Sequence, residues 1–374
     1  MKSRKELAQK LLTPAGITFN GPNPWDPQIH DERFFDLVFS KGLIAVGESY
    51  VDGLWDVADL ATFVERTARS KQMMKVNSTL WLSLATQVAR SWLFNLQNKA
   101  RAFEVGEKHY DIGNDLYERM LDKRLAYSCG YWKDAQTLDE AQEAKLDLVC
   151  RKIGLKKGDR VLDIGCGWGS FAIFAAEKYG ASVVGVTVSK EQAVLARERA
   201  KGLPVEIRVQ DYREINDGPY DHIISIGMFE HVGYKNYKIY MEIVRKLLKD
   251  DGLFLLHTIG NKDTWIGADA WMDKYIFPNY MLPSVAQIGA ASDHLFILED
   301  WHNFGTDYEK TLFAWWKNFD AHWPALKEQY GERFYRMWKF YLLGCAGNFR
   351  ARDVQLWQIV LSPNGVLGGY RPVR

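Results

Sequence analysis

The sequence predicts an α/β protein with a doubly wound, mostly parallel sheet of seven strands and a smaller helical N-terminal domain. Two observations support this prediction. After residue 154, short apolar runs alternate with segments of helical periodicity, which is typical of a parallel sheet covered by helices on both faces. The first 100 residues lack this alternation, and their pattern is helical with loops near 21–27 and 42–53. A chain of 374 residues is long enough for two such domains.

Five apolar runs are predicted to form the parallel strands. They are RVLDIG at 160–165, VVGVTV at 183–188, VEIRVQD at 205–211, DHIISIG at 221–227 and LFLLHTIG at 253–260. Helices are predicted between them at 170–179, 190–201 and 235–249. Two later segments, 294–305 and 354–362, complete the sheet. Because a long helical stretch separates these two segments, we expect an antiparallel edge hairpin that is split by an insertion.

The domain boundary is predicted at a linker, 96–105, between a helical N-terminal domain at 1–95 and a catalytic domain at 106–374. Close to this boundary, 77–103 has the pattern of an amphipathic helix with basic residues beside its apolar positions. Such a helix either packs against its own domain or lies at an interface with anionic lipid, and both interpretations stay open. Its apolar positions, at steps of three and four, are Trp81, Leu84, Val88, Trp92 and Leu96.

Composition favours a globular, cytoplasmic protein. The formal net charge is +1, which gives no basis for binding nucleic acid. The four cysteines form no CxxC pair, so we expect no zinc or other metal site. Residues 1–12 lack the apolar core of a signal peptide, and no uncharged apolar run approaches the ~18 residues of a membrane span. Any contact with a membrane is therefore expected to be peripheral.

A glycine-rich loop, DIGCGWG at 163–169, follows the first strand and opens a helix. Its glycines let the backbone turn tightly and approach a ligand, and the helix offers unpaired N–H groups. A dinucleotide site would have its third glycine one residue later and an acid after the second strand, where this chain has Thr187 followed by Gln192. The loop therefore favours a nucleoside-methionine ligand, with Asp163 near its amino-acid end. Asp211 follows the third strand, either as an acceptor for the adenine amino group or as a loop cap.

Two titratable residues follow other strands at the same edge of the predicted sheet. Glu230 stands in GMFEHVG at 227–233, and His257 stands in LLHTIG at 255–260. Ligands of open α/β sheets bind at the carboxyl ends of the strands, and an acid/base pair there suits proton transfer. Either residue alone is typical of a structural role. Together with the glycine loop, they favour a catalytic site.

Over nearly its whole length the sequence resembles the cyclopropane-fatty-acyl-phospholipid synthase family. The shared stretches are GESYVDGLWD, FNLQNKARAF, HYDIGNDLYERMLD, YSCGYWKDA, VLDIGCGWGSFA, VGVTVSKEQ, MFEHVG, LLHTIG, KYIFPN, EDWHNFGTDYEKTL and FRARDVQLWQIV. The later part also resembles mycolic acid cyclopropane synthases, which lack the helical N-terminal domain. The resemblance implies a class I methyltransferase-like fold. It also implies transfer of a methylene group from S-adenosylmethionine to the cis double bond of acyl chains in membrane phospholipid.

Site roles follow from the same resemblance. S-adenosylmethionine would lie over Gly165, Gly167 and Gly169. Tyr127 and Ser128 would touch its methionine end, and Thr187 with Gln192 its ribose region. A bicarbonate ion would lie beside the reactive methyl group. The residues that would hold this ion are Cys129, Glu230, His257, Ile259 (through its backbone) and Tyr308.

The chemistry is likewise implied by the resemblance. Methyl transfer to one alkene carbon leaves a carbocation on the other, and a dry site with aromatic rings would shelter it. Bicarbonate would then take a proton from the new methyl group as the ring closes. Glu230, His257 and Tyr308 would orient that ion as catalytic residues. Cys129 would help to position it and would not act as a covalent nucleophile, because an alkene has no leaving group.

The resemblance further implies a homodimer joined through the N-terminal domains, bound peripherally to phospholipid at the inner face of the membrane. Three other functions remain as alternatives: a methyltransferase for a soluble nucleophile, a nicotinamide-binding oxidoreductase and a non-catalytic lipid-binding protein. The glycine spacing and Thr187 argue against the oxidoreductase. The complete set of Cys129, Glu230, His257 and Tyr308 argues against loss of catalysis.

Overall fold

The computed structural model describes residues 3–70 and 113–374. These residues form two compact units. The helical unit comprises 3–70, 266–278 and 308–354, and the sheet unit comprises 113–265, 279–307 and 355–374. The predicted amphipathic helix at 77–103 and the predicted linker at 96–105 lie outside the described residues, so both stay predictions. Within the described ranges, no helix is both long and apolar enough to cross a membrane.

The helical unit packs its helices around an aromatic core. Its helices are Arg4–Leu12, Arg33–Lys41, Ile44–Val51, Leu60–Ser70, Ala270–Tyr275 and, from Tyr308 onward, Thr306–Arg350. A two-stranded antiparallel ribbon pairs β1 (Gln28–Ile29) with β2 (Trp55–Asp56). The core contains both Phe34 and Leu343, so distant parts of the chain share it. The long helix is interrupted at Gly331, whose φ of 76° suits a residue without a Cβ.

The sheet unit is built on one mixed sheet of seven strands, as predicted. The strands are β3 (Arg160–Ile164), β4 (Ser182–Thr187), β5 (Val205–Val209), β6 (Tyr220–Ile226), β7 (Leu248–Asn261), β8 (Ile297–Asn303) and β9 (Val354–Ser362). Their order is β5-β4-β3-β6-β7-β9-β8. Neighbours from β5 to β7 are parallel, and β8 pairs antiparallel with β9. The predicted edge hairpin is confirmed, and the helix Thr306–Arg350 is part of the insertion that splits it.

Helices cover both faces of this sheet. They are Asn114–Met120, Leu138–Lys152, Ser170–Tyr179, Lys190–Arg199, Tyr237–Leu247 and Val285–Ser292. Alternate residues of a strand face opposite sides, so Leu162 belongs to one core cluster and its neighbour Val161 to another. Because both faces of the inner strands β3, β4, β6 and β7 are largely buried, these strands contain apolar runs in the sequence.

The largest difference from the predicted boundaries lies in β7. This strand begins at Leu248, five residues before the predicted start at 253. Leu248 pairs with Tyr220, and the register then shifts before His222 pairs with Leu253. Such an irregularity adds residues to one strand only, and the apolar pattern does not reveal it.

Candidate active site

The glycine-rich loop lies at the carboxyl end of β3. Gly165, Gly167 and Gly169 have φ angles of 85°, 55° and 79°, which residues with a Cβ rarely adopt. The N–H groups of Gly165 and Cys166 both donate to the carbonyl oxygen of Val186 on β4, at 2.9 and 3.0 Å. These bonds hold the loop against the next strand, and a helix begins directly after Gly169.

Two of these glycines serve different purposes. A Cβ on Gly165 would lie 2.7 Å from the side chain of Met228, so this glycine permits close packing inside the protein. A Cβ on Gly167 would meet no atom of the described residues within 4 Å. The backbone at Gly167 is therefore open to a ligand.

Asp163 lies on β3 just before the loop and is only 2% exposed. Burial raises the pKa of its carboxyl group to about 7, and the positive charge of Lys145 opposes this rise. Lys145 is also buried, and burial lowers the pKa of its ammonium group to about 8. The start of the loop therefore lies near two buried groups of opposite charge.

The structure brings Thr187 and Gln192 together at the end of β4. The Thr187 hydroxyl donates to Oε1 of Gln192 at 3.1 Å, and the N–H of Ser189 donates to the same hydroxyl at 3.2 Å. Ser189 also caps the helix Lys190–Arg199 by accepting from the N–H of Gln192. The ribose of a nucleoside ligand would lie beside this strand. The roles of both residues in binding ribose stay predictions.

Asp211 follows β5, and its carboxylate is bound within the protein. Oδ1 accepts from the backbone N–H and from Nε of Arg213 at 2.9 and 2.8 Å, and Oδ2 accepts from Nη2 of the same arginine at 2.6 Å. Asp211 also caps the short turn Tyr212–Glu214. These contacts support the structural interpretation of Asp211. Its contact with adenine is untested.

The predicted methionine-end residues, Tyr127 and Ser128, precede the buried Cys129. The Oγ of Ser128 accepts a hydrogen bond from Nζ of Lys145, on the helix Leu138–Lys152, at 2.8 Å. The ring of Tyr127 packs edge-on against Tyr117, with centroids 5.2 Å apart. Tyr117 in turn packs against Trp168 of the glycine loop, with centroids 4.8 Å apart. Through these rings, the segment that contains Cys129 is connected to the glycine loop.

Glu230 lies in a short 3-10 turn after β6. Its Oε1 accepts from the N–H of Ile259 on β7 at 2.7 Å, and its carbonyl oxygen accepts from the N–H of Met281 at 2.8 Å. Its Oε2 is buried and has no hydrogen-bond partner among the described residues. Burial raises the pKa of this carboxyl group to about 7. A buried oxygen without a partner is costly, so it indicates a place for a donor from a ligand.

His257 lies on β7, two residues before Ile259. Its Nδ1 lies 3.3 Å from Nε2 of Gln358 on β9, and its Nε2 is buried without a partner in the described part of the chain. Burial, together with the positive charges of Lys145 and Lys152, lowers the pKa of His257 well below its ordinary value. The imidazole is therefore neutral near pH 7. When the Gln358 amide donates to Nδ1 through its Nε2, the ring proton of the neutral imidazole lies on the Nε2 of His257.

Glu230 and His257 thus supply an acceptor and a donor from neighbouring strands. Bicarbonate both donates and accepts hydrogen bonds, so it suits this pair of groups. The N–H of Ile259, which was expected to hold the ion, donates to Glu230 in this structure. The bicarbonate contacts of all three residues remain predictions. Among residues 3–70 and 113–374, no group of three or more His, Cys, Asp or Glu could hold a metal ion.

Tyr308 belongs to the helical unit, whereas the other predicted site residues belong to the sheet unit. Its ring stacks on Phe349, with centroids 4.5 Å apart and planes 22° apart. It also packs edge-on against Trp315 at 6.0 Å. Its proposed contact with the ion stays a prediction.

Several buried polar residues of the sheet unit were not predicted from the sequence. They are Gln142, Lys145, Lys152 and Gln358. The first three offer a signal, because they follow the buried stripe of the helix Leu138–Lys152 at steps of three and four. A lysine or glutamine on such a stripe is unusual, since these residues are mostly exposed.

Comparisons with known proteins identify the family to which the chain is similar. A family model described as mycolic acid cyclopropane synthetase matches residues 97–359. The chain is 51% identical over 368 residues to the cyclopropane-fatty-acyl-phospholipid synthase of Escherichia coli (strain K12), covering 98% of this chain and 95% of that protein. It is 35% identical over 289 residues to cyclopropane mycolic acid synthase 2 of Mycobacterium leprae (strain TN), covering 69% of this chain and 93% of that protein.

Solved structures show the same relationship. The cyclopropane synthase MmaA2 from Mycobacterium tuberculosis matches with a TM-score of 0.66 and 31% identity, over 69% of this chain and 97% of that chain. The mycolic acid cyclopropane synthase CmaA1, complexed with SAH and CTAB, matches with a TM-score of 0.64 and 32% identity, over the same shares. The sheet unit therefore has the fold of class I methyltransferases, as predicted.

Proposed function

Because the chain belongs to the mycolic acid cyclopropane synthetase family, we propose that it forms cyclopropane fatty acids in membrane phospholipid. In this reaction a methylene group passes from S-adenosylmethionine to the cis double bond of an unsaturated acyl chain. One observation carries the proposal. The chain is 51% identical to the synthase of Escherichia coli across 98% of its length, so the match includes the helical N-terminal part that the family model leaves out.

Two features support S-adenosylmethionine as the co-substrate. The backbone at Gly167 is open to a ligand, with Asp163 and Ser128 in the same unit for its methionine end. A solved relative that is 32% identical contains SAH, the product left after methyl transfer. The sulfonium methyl group is a strong electrophile, which an alkene needs because it is a weak nucleophile.

The site must keep water from the carbocation that forms when the methyl group joins one alkene carbon. The ring of Tyr131 packs edge-on against Phe304 at 5.4 Å, and Phe304 packs edge-on against His257 at 6.0 Å. All three side chains lie in the sheet unit. Aromatic rings near the reacting carbon would exclude water and stabilise positive charge by ~2 kcal/mol where they face it in a desolvated site.

Proton removal from the new methyl group closes the ring. Bicarbonate, when bound, would supply the base. Glu230 would hold it through Oε2, and the neutral His257 would donate to it through Nε2, because both atoms are buried without partners in the described chain. Cys129 and Tyr308 complete the proposed set. Cys129 would position the ion and not react covalently.

The proposal extends to location and assembly. The lipid substrate places the reaction at a membrane surface, and we infer that the protein binds the inner face of the membrane peripherally as a homodimer joined through its N-terminal part. The E. coli relative is named for a phospholipid product and shares this part.

The test is to incubate the purified protein with S-adenosylmethionine and phosphatidylethanolamine vesicles that carry cis-monounsaturated chains. Mass spectrometry should show a gain of one methylene group, and proton NMR should show cyclopropane protons with loss of vinyl protons. A mass gain with retained unsaturation would instead identify a simple methyltransferase. If the protein binds S-adenosylmethionine but forms no lipid product, the proposed substrate is wrong.

A further inference from the structure

Ser128 is held by two side chains of one helix. The helix Leu138–Lys152 begins with a capping box, in which Thr137 and Glu140 each bind the backbone of the other. Lys145 donates from Nζ to Oγ of Ser128 at 2.8 Å. One turn earlier, Gln142 donates from Nε2 to the carbonyl oxygen of Ser128 at 2.7 Å. The side chain and the backbone of Ser128 are therefore both fixed.

The bond from Lys145 sets the direction of the Ser128 hydroxyl. An ammonium group has three donors and no acceptor, whereas a hydroxyl has one donor and two acceptor lone pairs. Ser128 Oγ must therefore accept from Lys145, and its hydrogen is left to donate elsewhere. Through this hydrogen, the hydroxyl can donate to a ligand group that is an acceptor.

The bond from Lys145 favours an acceptor that is an anion, because a bonded ammonium group makes the Ser128 hydroxyl a stronger donor. Lys145 is 1% exposed, and the hydroxyl of Ser128 is the only acceptor among the described residues that is bonded to its ammonium. The groups that face it electrostatically are Asp122, Cys129 and Asp163. Asp122 is bound by the N–H groups of residues 124 and 126. Neither carboxylate is hydrogen-bonded to the ammonium group, and burial raises the pKa of both carboxyl groups, which weakens them as counter-ions. An anion beside the Ser128 hydroxyl would therefore offset part of the cost of burying Lys145.

We propose that Lys145, acting through Ser128, is the positioning residue for the carboxylate of the methionine moiety of S-adenosylmethionine. This inference rests on the proposed function. The carboxylate is favoured over bicarbonate because Lys145 binds Ser128, a residue predicted to touch the methionine end, and also faces Asp163 at the start of the glycine loop. Lys145 makes no hydrogen bond to Glu230 or His257 among the described residues. Lys145 orients the hydroxyl that binds the ligand and takes no part in methyl or proton transfer.

The test compares two ligands in buffer free of carbon dioxide. S-adenosylhomocysteine carries the carboxylate, and 5′-methylthioadenosine lacks the whole amino-acid part. By calorimetry, Lys145→Met should weaken the affinity for S-adenosylhomocysteine by about 10- to 100-fold, the range for loss of a charged hydrogen bond. The affinity for 5′-methylthioadenosine should stay within about twofold of the wild-type value. Ser128→Ala should act in the same direction. The double variant should be no weaker than Lys145→Met, because both changes remove one interaction.

Lys152→Met is the matched control. Lys152 is the other buried lysine of the helix, but it lies beside His302 and Asp300, at 3.1 and 3.5 Å. This variant should not change the ratio of the two affinities. Lys145→Gln, which keeps a donor, should recover part of the lost affinity.

Three results would overturn the inference. An equal loss of affinity for both ligands in Lys145→Met would show that Lys145 has a general structural role. Unchanged S-adenosylhomocysteine affinity with a raised bicarbonate requirement would assign the ammonium to the bicarbonate ion. If Lys145→Met does not fold, unchanged affinity in Ser128→Ala decides against the inference. A wild-type protein that binds neither ligand would instead contradict the proposed function itself.

Discussion

Glu230 combines two properties that conflict in a purely structural residue. Its Oε1 fixes the N–H of Ile259 at 2.7 Å, while its Oε2 is buried without a partner among the described residues. The same burial raises the pKa of the carboxyl group to about 7. A residue that costs stability in this way is typical of a functional site.

Activity should depend on the charge of this residue. Glu230→Gln keeps the shape of the side chain but cannot be an anion at any pH. We expect turnover to fall by about 10²–10⁴-fold, the usual loss for a well-placed acid/base group. Affinity for S-adenosylhomocysteine should change little, because Glu230 lies at β6 and the glycine loop at β3. Turnover by the vesicle assay, at fixed bicarbonate, measures the first effect and calorimetry the second. Near-normal turnover would remove Glu230 from the mechanism.

The same substitution should stabilise the protein at high pH. Because the folded-state pKa lies near 7 and the ordinary value is 4.5, wild-type stability is lost as pH rises from about 4.5 through 7. The full loss is about 3 kcal/mol, from ~1.4 kcal/mol per pKa unit. Urea unfolding should show Glu230→Gln more stable than wild type at pH 8, with a much smaller difference at pH 5. Parallel stability profiles would contradict the raised pKa.

Gly167 is the residue whose substitution tests the cofactor site most directly. Gly167→Asp places a side chain and a negative charge where the backbone is open to a ligand, and its Cβ meets no described protein atom within 4 Å. Some strain from the φ of 55° is expected, but aspartate tolerates this region better than most residues. Affinity for S-adenosylhomocysteine should fall by about 100-fold, or ~2.7 kcal/mol, in a folded protein. Unchanged affinity would show that the ligand binds elsewhere.

At the scale of elements, the contact between β7 and β9 positions the strand that carries His257. A Cβ on Gly260 would lie 1.9 Å from the ring of Trp357 on β9. Glycine at this position therefore lets the indole lie directly on β7. His257 and Ile259 are on the same strand, so this contact also determines where they lie.

Gly260→Ala should force these two strands apart or displace the indole. Overpacking of this kind costs about 1–3 kcal/mol, and turnover should fall as β7 shifts. Gly289→Ala is the matched control, since a Cβ there meets no described atom within 4 Å. Gly289 lies in the helix Val285–Ser292, where alanine should stabilise by up to about 1 kcal/mol. Thermal unfolding of both variants measures the contrast, and equal stabilities would contradict the steric argument.

At the scale of the whole molecule, the helical unit is assembled from separate parts of the chain. Arg336 on the long helix donates to the carbonyl oxygen of Tyr50 at 2.8 Å and to Asp56 at 2.8 Å. Phe340 packs on the ring of Tyr50, with centroids 5.3 Å apart. The N-terminal helices therefore share their core with a helix that lies between β8 and β9 in sequence.

Removal of residues 1–70 should consequently expose apolar side chains of the long helix, among them Leu343. We expect the truncated protein to bind the dye ANS, to lose activity on vesicles and to unfold at a lower temperature. Loss of activity in this variant would thus not by itself demonstrate a membrane-binding role for the N-terminal part. A truncated protein that binds no dye and keeps the wild-type melting temperature would contradict the shared core.

The sequence by itself determined the sheet and the glycine loop of this protein. The parallel strands β3, β4, β6 and β7 are largely buried on both faces, so their positions are visible as local apolar runs. In the edge hairpin, β9 is a buried apolar run of the same kind, whereas β8 is largely exposed. The loop at Gly165, Gly167 and Gly169 was predictable because only glycine adopts such positive φ angles at little cost. The order of strands and helices also predicted that Glu230 and His257 lie at the same edge of the sheet.

Only the tertiary structure decided which side chains complete these elements. Gln358 meets His257 across 101 positions, and Lys145 meets Ser128 across 17. Arg213 occupies the carboxylate of Asp211, and distant segments share the helical core. The periodicity of a sequence indicates which positions are buried. It carries no information on which other part of the chain those positions contact. That choice is made by packing and hydrogen bonding between elements once they have formed.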